Sequence, residues 1–229
     1  MERRIFISGF ITAVVCKSTS SQANNGSIVG TDFFFDAPKQ PLIDLEANTG
    51  FFEPFEPDEL PANIGKKVSR SPKITLSEDS SLVMLNINTN EKISLKPMTP
   101  SGIDAKELKR ANYFMRDWRL NEVKPIDPNI ILGLLEIQQN ARRKGFNPEI
   151  QFLSGYRSEA TNTMLRKKTN GVAANSLHIQ AKAVDFSMPG VPINETILLA
   201  KAISIGGVGG YNNFVHIDSG RQRYWGSAA

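Results

Sequence analysis

A regular alternation of apolar and polar residues begins near Lys73. The stretch "KITLSEDSSLVMLNINTNEKISLKP" alternates along most of its length and is interrupted at "NTNE". Successive residues of a strand point to opposite faces of a sheet, so this pattern predicts a small β-hairpin. Between Asn24 and Pro72 no period is sustained, and we expect an extended or disordered tether there.

Helical spacing follows the hairpin in four segments. "SGIDAKELKRANYFMRDWRL" predicts a helix capped by Asp104, and "DPNIILGLLEIQQNARRKG" predicts a longer one that begins after Asp127 and ends at Gly145. A short helix is expected to start at Ser158, and "NETILLAKAISIGG" predicts a helix capped by Asn194. The second of these has the clearest apolar face, formed by Ile131, Leu134, Leu135 and Ile137.

Strand patterns are interleaved with these helices. "EIQFLSGYRS", "KAVDFSM" and "NFVHIDSG" each predict a strand. The glycine-rich "GGVGG" follows a helix and precedes a strand, the reverse of a phosphate-binding loop, so we interpret it as a tight turn. Together the elements predict an α+β fold with a small, mostly antiparallel sheet and flanking helices.

Composition and charge divide the chain unevenly. With 40% hydrophobic and 22% charged residues it is typical of globular proteins, but residues 24–64 carry a net charge of −7 and residues 65–229 one of +9. We therefore predict an acidic tether, residues 24–72, that contains prolines and phenylalanines, followed by one domain, residues 73–229. The tether's aromatic residues could also dock onto the domain or a partner. A basic domain suits an anionic partner, and without a basic run interleaved with aromatics we expect no nucleic acid.

The first 23 residues have the pattern of an export signal. Two arginines precede an apolar run of 12 residues, too short to span a bilayer, and the small residues of "SQA" suit a cleavage site. We expect a periplasmic protein, exported by the general secretory or the twin-arginine route, with no membrane span after removal of residues 1–23. Cys16 is the only cysteine, and Val15 before it makes a lipoprotein anchor the weaker alternative. The oligomeric state is left open.

Candidate chemistry centres on the only two histidines, His178 and His216. If the last two predicted strands are neighbours, His216 and Asp185 can converge, and His178 can reach them from the preceding loop. Two imidazoles and one carboxylate suit Zn²⁺ with an open position for water, as in hydrolytic sites. On the residue pattern alone, two hydrogen-bonded structural histidines are favoured over a metal site.

Several motifs of the chain resemble those of one known protein family. "SGYRS", "TNTMLR", "SLHIQAKAVDFSMPG", "GGVGGY" and "FVHIDSGRQRYW" occur in the order found in the zinc D-Ala-D-Ala metallopeptidase family, and "FMRDWRLNEVKPIDP" resembles its periplasmic murein endopeptidase branch. The resemblance covers about residues 75–228. It implies a hedgehog/D-Ala-D-Ala-peptidase-type fold with His178, Asp185 and His216 as Zn²⁺ ligands. It also implies that Arg157 binds a substrate carboxylate or the developing oxyanion.

The chain departs from the family at two places. Ala181 stands where a glycine is usual, three residues after the first ligand. Asn213 and Phe214 stand where relatives in other branches have a carboxylate or a histidine as general base. The best remaining base is Asp218, which could instead orient a metal ligand or bind a nearby arginine.

The resemblance implies hydrolysis of cross-links between peptidoglycan stem peptides. Two alternatives stay open: a non-catalytic peptidoglycan-binding or regulatory module of the same fold, and a D,D- or L,D-carboxypeptidase that trims stem peptides. Tyr156 and Trp225 are interpreted as core or cleft wall. Ser176 either binds substrate or caps its own loop.

Overall fold

A computed structural model of the protein describes residues 80–169, 171–203 and 205–229. Its first two strands form the hairpin that the alternation predicts. In chain order the elements are β1 (Leu82–Asn86), β2 (Lys92–Leu95), β3 (Met98–Thr99), β4 (Gly102–Ile103), α1 (Ala105–Phe114), α2 (Pro128–Arg143), β5 (Ile150–Ser154), α3 (Glu159–Lys168), β6 (Ala183–Ser187), α4 (Ile193–Ile203), β7 (Gly207–Gly210), β8 (Val215–Asp218) and β9 (Arg223–Gly226).

Seven of these strands form one sheet, in the order β2-β1-β5-β6-β8-β7-β9. The pairs β1–β5 and β7–β9 are parallel, and the other four pairs are antiparallel. The strands β3 and β4 pair separately with each other. The predicted α+β class with a mostly antiparallel sheet is confirmed.

One face of the sheet carries the main hydrophobic core. Val184 of β6 and Val215 and Ile217 of β8 are buried in it together with apolar residues of α1, α2 and α4. Because side chains alternate along a strand, the residues between them point to the opposite face. There Tyr211, Phe214 and Trp225 form a smaller apolar cluster. The main core thus stabilises the sheet from one face, and the opposite face carries buried polar residues beside the smaller apolar cluster.

The helix caps follow the sequence prediction more closely than the helix ends. Asp104, Asp127 and Ser158 each accept backbone N–H groups at the start of α1, α2 and α3. The first helix stops at Phe114, several residues short of the prediction, because the next residues are engaged in tertiary hydrogen bonds. The last helix begins at Ile193, so Asn194 lies in its first turn and is not its cap.

The interpretation of "GGVGG" as a tight turn is wrong, because Gly207–Gly210 form strand β7. A Cβ atom on Gly207 would lie 2.4 Å from the Asp218 carboxylate, and one on Gly209 would lie 2.4 Å from the Trp225 ring. Glycine is unfavourable in strands by propensity alone. Here it is required, because neighbouring side chains occupy the space that a Cβ would need.

The predicted export signal, residues 1–23, and the predicted tether, residues 24–72, lie outside the described residues. The same holds for the first residues of the predicted domain. Among the helices that the structure describes, none has both the length and the apolar character needed to cross a bilayer.

Ala181 adopts a left-handed backbone conformation, with φ of 56°, and is fully buried. A Cβ atom makes this conformation unfavourable by about 1–2 kcal/mol, partly offset by the larger unfolded-state entropy of glycine. We predict that Ala181→Gly raises the free energy of unfolding by about 1 kcal/mol and the melting temperature by about 2–4 °C. Ala183→Gly, in the regular strand β6, is the matched control and should lower both. If both substitutions lower the melting temperature by the same amount in thermal denaturation, the predicted backbone strain at Ala181 is contradicted.

Candidate metal centre

Three buried side chains with metal-binding atoms converge on the face of the sheet opposite the main core. His178 comes from the loop after α3, Asp185 from β6 and His216 from β8. Nε2 of His178 lies 3.2 Å from Oδ2 of Asp185 and 3.3 Å from Nδ1 of His216. Nδ1 of His216 lies 2.8 Å from Oδ1 of Asp185. The structure therefore brings together the three residues that the sequence predicts as ligands.

The register of β6 against β8 places two of the three residues, Asp185 and His216, next to each other. In the antiparallel pair β6–β8, Asp185 is directly opposite His216, and Ala183 is opposite Asp218. Directly opposite residues share a face, with Cβ atoms about 4.5–5.5 Å apart. The small side chain of Ala183 leaves space beside Asp218. Convergence of His216 with Asp185 thus follows from the predicted alternation once the two strands are neighbours.

In each histidine, one ring nitrogen points toward the other two residues of the group and the second points away from them. The hydrogen bond of the second nitrogen determines whether the first can act as a metal ligand. Nδ1 of His178 lies 2.7 Å from the carbonyl oxygen of Gly155, which only accepts, so this nitrogen carries the proton. Both nitrogens of His216 face carboxylates, Nδ1 at 2.8 Å from Asp185 and Nε2 at 3.3 Å from Asp218. In the tautomer that can bind a metal ion, the proton is on Nε2 and is donated to Asp218. Nε2 of His178 and Nδ1 of His216 then face each other and Asp185 as lone pairs.

This donor set fits a divalent cation. Two imidazole lone pairs and a carboxylate, all buried within 4.8 Å of one another, repel each other unless a cation or protons lie between them. Burial works to raise the pKa of Asp185, but His178 and His216, through the positive charge that they carry when protonated and through their hydrogen bonds, hold it well below its usual value. Asp185 is therefore an anionic ligand over the whole neutral range. Three protein ligands leave coordination positions open for water or substrate.

Asp218 lies behind the His216 ring. Its Oδ2 contacts Nε2 of His216 and lies 3.0 Å from a guanidinium nitrogen of Arg223, while Oδ1 accepts the backbone N–H groups of Gly207 and Gly220 at 3.0 and 2.8 Å. Asp218 is fully buried. Burial works to raise its pKa, but His216 and Arg223 outweigh this and lower it. The imidazole ring separates Asp218 from the ligand atoms, which favours the orienting role over that of general base.

Arg157 is held beside Asp185. Its Nη2 donates to Oδ2 of Asp185 at 3.0 Å, and its Nε donates to the hydroxyl of Ser154 at 3.0 Å. Within the described part of the chain, Nη1 of Arg157 has no hydrogen-bond partner. The guanidinium is thus anchored by two of its nitrogens while the third keeps both of its N–H donors for another oxygen atom.

Two residues that support the site were not singled out from the sequence. Oδ2 of Asp117 accepts from the backbone N–H and the hydroxyl of Ser158, at 2.9 and 2.8 Å. Burial works to raise the pKa of Asp117, but hydrogen bonds from Thr161 and Ser158 lower it. The carbonyl of Gly155 fixes the ring of His178. Nothing in the residue pattern distinguishes Asp117 from an acid on the surface of the predicted first helix.

The remaining sequence candidates line the site or support it. Trp225 is buried, with its ring centroid 5.2 Å from that of His216, and its indole N–H donates to the hydroxyl of Tyr211 at 3.0 Å. Phe214 stacks on Tyr211 at 4.2 Å, so this side of the site is apolar. The hydroxyl of Ser176 accepts the backbone N–H of His178 at 3.4 Å, which suits a capping role.

Tyr156 is half-buried and packs against the main core. Its hydroxyl lies 3.5 Å from Glu122 at the surface. Burial and the neighbouring carboxylates raise its pKa, so the hydroxyl stays neutral in the physiological range. These contacts fit the interpretation of Tyr156 as core or cleft wall.

Comparison with known proteins connects this geometry to named relatives. The probable peptidoglycan L,D-endopeptidase MepK of Haemophilus influenzae is 42% identical over 146 residues, which are 63% of this chain and 77% of that protein. Peptidoglycan L,D-endopeptidase MepK of Escherichia coli K12 is 38% identical over 146 residues, which are 63% of this chain and 79% of that protein.

Residues 75–225 match the family described as peptidoglycan L,D-endopeptidase MepK. This match includes all three candidate ligands and the whole described sheet except Gly226, the last residue of β9. The resemblance inferred from the sequence motifs is thereby confirmed. The chain belongs to the MepK family of metal-dependent peptidases.

Proposed function

We propose that the protein is a zinc-dependent peptidoglycan endopeptidase that hydrolyses cross-links between stem peptides, with L,D bonds as the target. The observation that carries the proposal is the convergence of His178, Asp185 and His216, two lone pairs and an anion, in a chain of the MepK family. The relatives at 38–42% identity bear the name of that activity. Hydrolysis of cross-links, rather than trimming of free peptide ends, is the function those names support.

His178, Asp185 and His216 would hold the Zn²⁺ ion, since their donor atoms match its preference for nitrogen and carboxylate ligands. When bound, Zn²⁺ supplies Lewis acidity, which polarises a peptide carbonyl and makes water nucleophilic near neutral pH. The outer ring nitrogens, Nδ1 of His178 and Nε2 of His216, keep their protons and donate them in hydrogen bonds to the Gly155 carbonyl and to Asp218, so the rings keep their orientation through the reaction.

Arg157 and Asp218 have separate roles in this proposal. Nη1 of Arg157 donates to the oxygen that becomes negatively charged when the peptide carbonyl is attacked, or to a carboxylate of the substrate. Asp218 orients His216 and neutralises Arg223. Since Asp218 contacts the ring nitrogen of His216 that faces away from Asp185, proton removal from water is assigned to a carboxylate of the bound substrate.

The site of action follows from the substrate. Peptidoglycan lies outside the cytoplasm, so the proposed activity requires export, which agrees with the signal pattern expected for residues 1–23. The charge of +9 on residues 65–229 favours association with an anionic wall. We therefore propose a periplasmic location.

A binding module without catalysis is the second candidate. It is favoured by one observation, the apolar Phe214 and the amide Asn213 at the positions where other branches carry a base. Against it stand the complete ligand set and the anchored Arg157, which a binding function alone does not require.

The proposed function predicts that cleavage of cross-linked peptidoglycan requires a bound metal ion. Incubation of residues 24–229 with cross-linked peptidoglycan is expected to remove cross-linked dimers only when metal is bound, and mass spectrometry of the products identifies the broken bond. His216→Ala and a chelated sample are the controls. If cross-linked dimers remain intact in all three samples while the protein still sediments with the wall, the proposed catalysis is contradicted and the binding module is the better explanation.

The second prediction concerns Arg157. Arg157→Lys keeps a positive charge beside Asp185 but loses the fork that presents Nη1, so kcat is expected to fall about 10²-fold with the metal retained. Arg166→Lys, on the exposed surface of α3, is the matched control. Steady-state kinetics with metal content measured for each protein tests this. An unchanged kcat would exclude the oxyanion role.

The third prediction separates the two roles of Asp218. If Asp218 orients His216, Asp218→Asn weakens metal affinity about 10- to 100-fold, and saturating metal restores most of kcat. If Asp218 is the general base, kcat stays about 10²- to 10⁴-fold low at full metal occupancy. Metal titration against a chromophoric chelator, combined with kcat at saturating metal, distinguishes these results, and the first is expected.

A further inference from the structure

The loop between α1 and α2 is hydrogen-bonded to three segments that adjoin the candidate metal centre: the turn that carries Arg157, the loop that carries His178, and the residue that follows β8. Its backbone crosses beside the site from Met115, whose carbonyl accepts the N–H of Tyr156, to Asp127, whose N–H donates to the carbonyl of Ala181. Three of its side chains also reach those segments: Asp117 to Ser158, Lys124 to the carbonyl of Ile179 at 2.8 Å, and Asp127 to the hydroxyl of Ser219 at 2.7 Å. The loop is therefore anchored alongside the candidate metal site.

The outer part of this loop, residues 118–124, is termed the lip. It is held in a preformed shape, because Asp117 and Glu122 exchange backbone hydrogen bonds of 2.9 and 3.1 Å on either side of a turn. Asn121 supports the turn with a left-handed φ of 54°. A surface that is ordered before binding loses little conformational entropy when a ligand docks on it.

The lip presents two exposed apolar side chains next to a cation. Leu120 is 49% exposed and Val123 is 51% exposed. Lys124 uses one ammonium donor for the carbonyl of Ile179, the residue after His178, which leaves further donors for a ligand. Single exposed apolar residues are common on proteins, but Leu120 and Val123 both lie on one anchored loop alongside the candidate metal centre.

We propose that the lip binds a peptide arm of the cross-linked substrate, with Leu120 and Val123 against its apolar side chains and Lys124 paired with a free carboxylate. This inference rests on the proposed peptidoglycan endopeptidase function and assigns the residues that recognise its substrate. A peptide fits better than a glycan strand, because the Arg119 guanidinium, 4.3 Å from the ring centroid, covers one face of Trp118. The Lys124 ammonium, with further N–H donors beside the two apolar side chains, matches the free carboxylates and side chains of a peptide.

The test uses the metal-loaded protein and purified cross-linked muropeptide dimers, with and without their sugars. Leu120→Ser/Val123→Ser and Lys124→Gln are the lip variants. Leu198→Ser on α4, 58% exposed, and Lys167→Gln on α3 are the matched controls away from the site. We expect each lip variant to raise KM about tenfold on both substrates, with kcat within about twofold of wild type and the controls unchanged.

Metal content and dimer binding to the chelated proteins are measured in parallel. An unchanged KM and binding constant in both lip variants would overturn the inference. So would a loss of metal that accounts for the whole effect, or an effect confined to sugar-bearing dimers, which would assign the lip to the glycan. An inactive wild-type protein would overturn the proposed function alone, because the binding constants still decide whether the lip recognises the peptide.

Discussion

Antiparallel pairing of β6 with β8 is the constraint on which the metal centre depends. It sets Asp185 opposite His216, and it leaves Val184, Val215 and Ile217 to the hydrophobic core on the other face. A slip of one residue would exchange these faces and place the charged side chains in the core. Burial of the apolar residues therefore fixes the position of the ligands, and the same residues that stabilise the fold align the chemistry.

Opposite charges are paired on both sides of the two histidines. Arg157 pairs with Asp185 on one side, and the half-buried Arg223 pairs with Asp218 on the other. Isolated charges at such depth are strongly destabilising, whereas paired and hydrogen-bonded ones are tolerated. The network therefore has a structural cost that only its chemistry explains. Each member depends on its neighbour, so a change at one position reaches the metal ligands through one or two hydrogen bonds.

The candidate ligands could be predicted from the sequence because the patterns that point to them are local. Alternation placed His216 and Asp185 on strand faces, and the caps at Asp104, Asp127 and Ser158 followed from short-range rules. The family motifs supplied what spacing alone left undecided between a metal site and two structural histidines.

The features that sequence analysis missed depend on contacts between distant segments. Strand β7 is glycine-rich and has no strand propensity of its own, so only its packing against Asp218 and Trp225 accounts for it. The end of α1 is set by hydrogen bonds of Arg116 and Asp117 to residues far along the chain. The position of Asp218 behind the ring is likewise a property of the folded sheet, since alternation gives its face but not its neighbours.

The glycines of β7 also determine how freely this part of the protein can change during evolution. Added Cβ atoms at Gly207, Gly209 and Gly210 would lie only 2.4–2.5 Å from other atoms. Mutational tolerance at these positions is therefore close to nil, although none of them offers a functional group to the reaction. Changes in substrate preference are therefore expected in the loops around the sheet. Strand β7, which carries almost no side chains, stays unchanged behind the candidate metal ligands.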